Sequence, residues 1–383
     1  MPRACPSISS GRSAMKKGQP LADVLSLYVA WMKHAPQVAY DLMGSNLLHC
    51  RMDDLPGARE QLELDGFNEE GYQPLVGAIA GRYGVTPAQV SVANGASGAN
   101  FLACGAILAR GDEVVVERPV YDPLLAVPRF LGAKIVRFDR VMEEGFRVDP
   151  DRVAAAVTPK TRLIVLTNLH NPTGALASRE SLTAVGELAD QVGARVLVDE
   201  VYLESVPGPE LLPAATISPT FITTSSLTKA YGLAGLRAGW ALSEPELAER
   251  MRRVRDLVDG LGSFPSEMLA FLAFQNLPAL RERARRILEP NFRVLSEFME
   301  TRPELEWVRP SGGSVAFPRV QGLEDTWSFA RHLRERYDTG VVPGRFFEAP
   351  KHFRVALGGE GKTLVEGLRR LGEALEASGP FNR

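Results

Sequence analysis

Cysteine is scarce in this sequence. Cys5, Cys50 and Cys104 are the only three in 383 residues, and an odd, widely spaced set without a CxxC pair excludes a disulfide framework and a paired-thiol motif. A reducing, intracellular compartment is the expectation. The five histidines, His34, His49, His170, His332 and His352, form no HExxH arrangement, so no metal site is assigned. Charge of one sign is also lacking, with 44 basic against 46 acidic side chains. That balance excludes the electrostatic footprint of a nucleic-acid binder and suits a small neutral or zwitterionic partner. No stretch approaches the roughly 20 apolar residues of a membrane span. Lys16 and Lys17 precede the apolar "LADVLSLYVAWM", but Asp23 interrupts it and no small-residue cleavage site follows. A signal peptide is therefore not expected. Apolar residues at 21, 25, 28, 29 and 32 predict instead an amphipathic helix between Pro20 and Pro36. Cytoplasmic residence is expected, with residues 1–14 a loose leader.

What is present is an ordinary globular composition, 45% hydrophobic and 23% charged, in a chain long enough for roughly two or three domains. "YQPLVGAIAGRYG" and "GANFLACGAILA" have helical patterns. "DEVVVE", "AKIVRF", "RLIVLT", "ARVLVDE" and "TFITTSS" are short, rich in β-branched residues and separated by helix-length segments. This alternation predicts an α/β domain with a mostly parallel sheet covered on both faces. Ligands of such sheets sit beyond the carboxyl ends of the strands. Farther on, "ELEWVRPSGGSVAFPRV", "GVVPGRFF" and "HFRVALGG" read as strands around Gly/Pro turns before the amphipathic helix "KTLVEGLRRLGEALEA". These predict a smaller α+β unit.

A dinucleotide fold needs GxGxxG after its first strand, and neither "GASGAN" nor "GLAGLRAG" supplies it. "NGASGAN" instead opens a helix with small residues, where Ser97 and exposed N–H groups suit either a plain cap or an anion. Asp199 follows the apolar "RVLV", so its carboxylate needs a cationic partner, either an arginine or a protonated heterocycle. "SSLTKAYGLAGLRAGW" combines hydroxyls, one lysine and an arginine eight positions later.

With these segments in view, the chain resembles the fold type I pyridoxal-5′-phosphate enzymes, and within them the class I/II aminotransferases. The resemblance runs from about Asp41 to the C-terminus and rests on seven motifs in order: "GASGANF", "RPVYDP", "NPTG", "DEVY", "SSLTKAYGLAGLRAGW", "PGRFF" and "FRVALGG". It implies an aspartate aminotransferase-like fold, with a large cofactor domain at 51–288. The smaller α+β domain joins segment 15–50 to residues 289–383. By the same resemblance Lys229 forms the Schiff base with pyridoxal 5′-phosphate and shuttles the proton. Ser97, Ser226 and Arg237, with the backbone of Ala96 and Gly98, hold its phosphate. Glycines 232 and 235 turn the chain so that Lys229 and Arg237 face one ligand. Asp199 pairs with the pyridine nitrogen, Asn171 and Tyr202 with the phenolic oxygen, and Tyr121 stacks on the ring. Arg354 takes the substrate α-carboxylate, with Asn171 and Gly44 also toward substrate.

The implied activity is ping-pong transamination between an amino acid and a 2-oxo acid, in a homodimer. The same scaffold also serves amino-acid lyases, cyclases, decarboxylases and oxidases, and non-catalytic sensors. Two segments depart from the family pattern. Phe67 stands where relatives carry an interface-crossing tyrosine, with Tyr72 on the other side of Gly71, and "YDLMGSNLLHC" is atypical. Gly44, Ser45 and Asn46 are expected near substrate. Arg51 and Arg345 are available for a second carboxylate.

Overall fold

The computed structural model describes residues 26–377. Seven strands form its main sheet: β1 (Val90–Asn94), β2 (Glu113–Arg118), β3 (Lys134–Asp139), β4 (Thr161–Thr167), β5 (Arg195–Asp199), β6 (Phe221–Ser226) and β7 (Ala238–Leu242). Their spatial order is 1-7-6-5-4-2-3. All pairs are parallel except those of β7, which runs antiparallel to β1 and β6. The sheet has the mostly parallel architecture expected from the alternating pattern.

Alternation along the strands decides which core each side chain joins. Val114, Val116, Leu163, Val165, Leu197 and Ile222 point to one face, while Val115, Ile164, Leu166, Val196, Val198 and Phe221 fill the other. A period of two buried on both faces leaves no solvated side, which is why these strands read as near-continuous apolar runs. Strands β1 and β7 stand outside the five runs singled out in the sequence, β7 being embedded in the glycine-rich segment after Arg237.

Four helices place the site. Helix α1 (Leu27–His34) is capped by Ser26, whose hydroxyl accepts from the Val29 N–H at 3.3 Å. It ends before Pro36 as expected, while the portion expected before Ser26 lies outside the described residues. Helix α2 (Gly95–Ile107) follows β1 directly, and α3 (Leu227–Tyr231) follows β6. Helix α4 (Leu277–Glu300) is 24 residues long and runs unbroken through the expected boundary at 288/289.

The C-terminal strands are short. Phe353–Ala356 pairs antiparallel with both Val315–Ala316 and Val342–Pro343. Tyr40–Asp41 pairs with Thr339–Gly340, so the N-terminal segment is hydrogen-bonded into this unit. Leu42 packs with Leu295, Leu333, Phe353, Leu368 and Leu371 in a core of its own.

Candidate active site

The carboxyl ends of β4, β5 and β6, together with the start of α2, open on one cavity of about 520 Å³. Ser226 leaves β6 fully extended, and its hydroxyl caps α3 by accepting from Thr228 N–H at 3.4 Å. A cap three residues before Lys229 starts the turn that points the lysine into the cavity. Gly232 ends α3 at φ 75°, and a Cβ there would lie 2.2 Å from the Leu48 carbonyl oxygen. Gly235 has no such constraint, since an added Cβ would meet nothing. The turn expected of the pair thus falls to Gly232.

Lys229 Nζ donates to Ser45 Oγ at 2.9 Å and to Asn46 Oδ1 at 2.7 Å. Burial, reinforced by the cations Arg354 and Arg237 and opposed by Asp199, lowers its pKa to about 7. Loss of hydration disfavours an ammonium, so a sizeable fraction is free amine at neutral pH.

Asp199 ends β5 and is 5% exposed. Its Oδ2 accepts from Asn100 Nδ2 at 2.8 Å and its Oδ1 from Val201 N–H at 3.3 Å. Burial pushes its pKa up, while the Asn100 hydrogen bond and the Lys229 charge pull it down. Asn100 sits on α2, where Thr224 Oγ1 donates to its Oδ1 at 2.6 Å. The sequence reading did not select Asn100. Its signal was a polar side chain among the buried Ala99, Leu102 and Ala103 of one helix.

At the other end, Arg237 holds a left-handed backbone, φ 51°, and its carbonyl accepts from Gly95 N–H at 2.6 Å. A non-glycine residue in that region is strained, and such strain gathers at functional positions. Gly95 has φ 70°, and a Cβ on it would lie 2.4 Å from Arg237 Nη2. Ala96, Ser97, Ser226 and Arg237 line the cavity here, and Gly98 is not in the lining. The N-terminus of a 13-residue helix beside a guanidinium, with hydroxyls at hand, suits an anion. No carboxylate among the described residues forms an ion pair with Arg237.

Tyr121, Asn171 and Tyr202 also line the cavity. Burial pushes the Tyr202 phenol to about 12 and raises that of Tyr121 further. The Asn171 N–H donates to Thr167 Oγ1 at 2.9 Å, and that hydroxyl donates to Glu117 Oε1 at 2.5 Å. Glu117 and Arg140 form a fully buried pair at 2.8 Å beneath it.

Arg354 is completely buried beside the wall, outside the lining. Its Nη1 donates to Asn171 Oδ1 at 3.3 Å, and its Nη2 donates to the Tyr28 hydroxyl at 2.6 Å and the Met43 carbonyl at 3.0 Å. Its Nε has no hydrogen-bond partner among the described residues. Two of the donors expected for a substrate carboxylate are thus engaged within the chain.

Gly44 does not line the cavity, whereas its neighbour Asn46 does. Arg51 and Arg345 lie elsewhere, the first beside Asp54 and the second paired with Asp325 over the Trp327 ring. Lys33 of α1 lines the wall instead, and the sequence offered no pattern to find it. The Tyr72 ring packs edge-on against Phe264 and Phe271, and Phe67 is 87% exposed. Cys50 and Cys104 are free thiols, and Cys5 lies outside the described residues. No group of three His, Cys, Asp or Glu among the described residues could hold a metal ion, and no described helix is long and apolar enough to cross a membrane.

Known proteins resemble the chain in sequence and in fold. A family model described as aminotransferase class I and II matches residues 64–371. Capreomycidine synthase of Streptomyces vinaceus is 30% identical over 326 residues, 84% of each chain. A solved pyridoxal-phosphate-dependent aminotransferase from Streptococcus suis 89-1591 superposes with a TM-score of 0.86 at 27% identity, covering 92% of this chain and 97% of that one. The solved pyridoxal-phosphate-dependent cyclase OrfR is 28% identical with a TM-score of 0.82, over 96% and 100% of the two chains.

Proposed function

We propose that this chain, which belongs to the class I and II aminotransferases, transfers the amino group of an amino acid to a 2-oxo acid by a ping-pong route at Lys229. Its cofactor is pyridoxal 5′-phosphate. The residues present fit that molecule. Strained Arg237 and a helix N-terminus could receive its phosphate, buried Asp199 has no cationic neighbour but Lys229 among the described residues, and the lysine's pKa is lowered to about 7. When bound, the cofactor supplies an electron-accepting ring for bond breaking at the substrate Cα.

The observation that carries the reading is the position of Lys229, an amine with its pKa near 7 in the same cavity as Asp199. We assign Lys229 as the covalent anchor and the base that takes and returns the Cα proton. Asp199 would hold the ring nitrogen protonated, Asn171 and Tyr202 would bond the phenolic oxygen, and Tyr121 would cover the ring. Ala96, Ser97, Ser226 and Arg237, which line the cavity together, would receive the phosphate. Arg354, with Asn171 at its side, takes the α-carboxylate once Tyr28 yields its place.

The arginine-free part of the lining, Val29 and Lys33 on α1 with Leu124 and Val127, would receive the substrate side chain. A homodimer is the expected assembly. Leu64, Phe67, Leu257, Val258 and Leu261 are all exposed, and Asn68 Nδ2 donates to the Gly262 carbonyl at 2.9 Å, tying the segment of Phe67 to that of Leu261. Surfaces of this kind are usually covered.

The test is the absorbance spectrum of the loaded enzyme against a panel of amino acids and 2-oxo acids. Transamination predicts a spectral change with some amino acid that a 2-oxo acid reverses. A second reading, cyclisation on the same cofactor, is favoured by the likeness to OrfR. It predicts a cyclised product formed without any amino acceptor, and that outcome would replace transamination.

A further inference from the structure

We propose that Asn100, itself fixed by Thr224, is a positioning residue that presents the Asp199 carboxylate to the cofactor's ring nitrogen. The inference rests on the cofactor assignment above and deepens it. It starts from the directions of three hydrogen bonds. Thr224 Oγ1 lies 2.6 Å from Asn100 Oδ1, and Asn100 Nδ2 lies 2.8 Å from Asp199 Oδ2. A carboxamide has one accepting end and one donating end. With the threonine hydroxyl donating to the oxygen, the NH₂ faces the carboxylate. Asp199 Oδ2 can only accept there, so a proton on that oxygen is excluded by the opposing N–H.

Oδ1 accepts the Val201 N–H at 3.3 Å and retains a lone pair. Asn100, Asp199 and Lys229 all line the cavity. The carboxylate is thus oriented by a neutral side chain, and the acceptor it keeps is available to a cationic N–H. Thr224 and Asn100 are 0% and 5% exposed, so neither bond competes with water. The charged or titratable groups facing Asp199 are Lys229 on α3, the neighbouring Glu200, and the phenols of Tyr121 and Tyr202. Only Lys229 offsets the buried charge, and it is itself partly neutral. A donated hydrogen bond is then the main stabiliser of the ionised form. Replacing Asn100 by an apolar residue leaves Asp199 free to hold its own proton and to decline the one on the ring.

The experiment measures the dissociation constants of two aldehydes on the apoprotein: pyridoxal phosphate and its 1-deaza analogue, whose ring nitrogen is carbon. The wild type is expected to prefer pyridoxal phosphate, and Asn100→Leu to lose about tenfold of that preference while binding the analogue nearly as before. Thr224→Val, which removes only the hydroxyl, is expected to lose part of it and carries the test if Asn100→Leu does not fold. Equal weakening of both aldehydes, or no change in either variant, would leave Asn100 a packing residue and overturn the inference alone. A wild type that binds neither aldehyde would overturn the cofactor assignment and the inference with it.

Discussion

Tyr28 and Arg354, 326 positions apart, are joined by a 2.6 Å hydrogen bond in which the guanidinium donates to the phenolic oxygen. The bond ties helix α1 to the strand behind the site, and the guanidinium also lies 5.2 Å over the Tyr28 ring. Asp122 holds the same N-terminal end of α1, accepting from the Ser26 hydroxyl at 2.6 Å and the Tyr28 N–H at 3.2 Å.

Tyr28→Phe keeps the ring and removes the acceptor. Arg354 Nη2 retains the Met43 carbonyl, so the expected loss is that of one bond to a charged donor, about 2 kcal/mol. Urea unfolding of the apoprotein measures it. A loss under a few tenths of a kcal/mol would mean that water replaces the phenol freely.

Lys229 gives a pH prediction whose sign follows from its lowered pKa. The unfolded chain holds the lysine proton up to its ordinary 10.5, whereas the folded chain releases it near 7. Between those values the unfolded state binds more protons, so this group makes stability rise with pH; below about 7 the folded state carries the full penalty. Lys229→Met removes it. The apo variant is expected to gain on the wild type most at pH 7 and progressively less toward pH 10.5, as followed by urea unfolding across that range. Parallel profiles would show that the amine is not desolvated.

Gly95→Ala probes the anion end. The new Cβ would stand 2.4 Å from Arg237 Nη2 at a residue with φ 70°, so both the backbone and the guanidinium must shift. Backbone strain costs about 1 kcal/mol, but the larger effect is expected on the ligand. Cofactor dissociation should increase at least about tenfold if the guanidinium fork meets the phosphate. Unchanged retention in equilibrium dialysis would remove Arg237 from the phosphate site.

The parts legible in the sequence were those whose geometry is local. A strand that ends in Asp199 and runs on to Tyr202, or one that ends in Ser226 and launches Lys229 three residues later, puts its side chains at the sheet's edge by strand direction alone. The sheet itself was legible because both faces are buried and its strands are continuous apolar runs. What stayed hidden depends on approach across the chain. Ser45 and Asn46 meet Lys229 across 184 and 183 positions, Thr224 meets Asn100 across 124, and Lys33 arrives with α1. Local patterning carries no record of such contacts. Of Gly44, Ser45 and Asn46, all expected near substrate, the structure brings Ser45 and Asn46 to Lys229 and puts Asn46 in the cavity wall.

Glu117 and Arg140 allow a prediction about the floor of the site. Both side chains are inaccessible to solvent, and Arg140 Nη1 donates to Glu117 Oε2 at 2.8 Å and to the Thr167 carbonyl at 3.2 Å. Glu117 Oε1 also accepts from the Thr167 N–H at 2.7 Å and from its hydroxyl, which in turn orients Asn171. Glu117→Leu leaves a guanidinium buried without a counter-charge and is expected to destabilise the protein by about 3–5 kcal/mol. Arg140→Met in the same chain removes the stranded charge and should recover much of that loss, since an apolar pair of similar volume can replace a buried ion pair. Cofactor affinity is expected to behave differently. Thr167 has lost its acceptor in both the single and the double variant, so retention of pyridoxal phosphate should remain weakened even where stability returns. Urea unfolding and cofactor titration on the same samples separate the two effects; full recovery of both in the double variant would show that Glu117 serves only to neutralise Arg140.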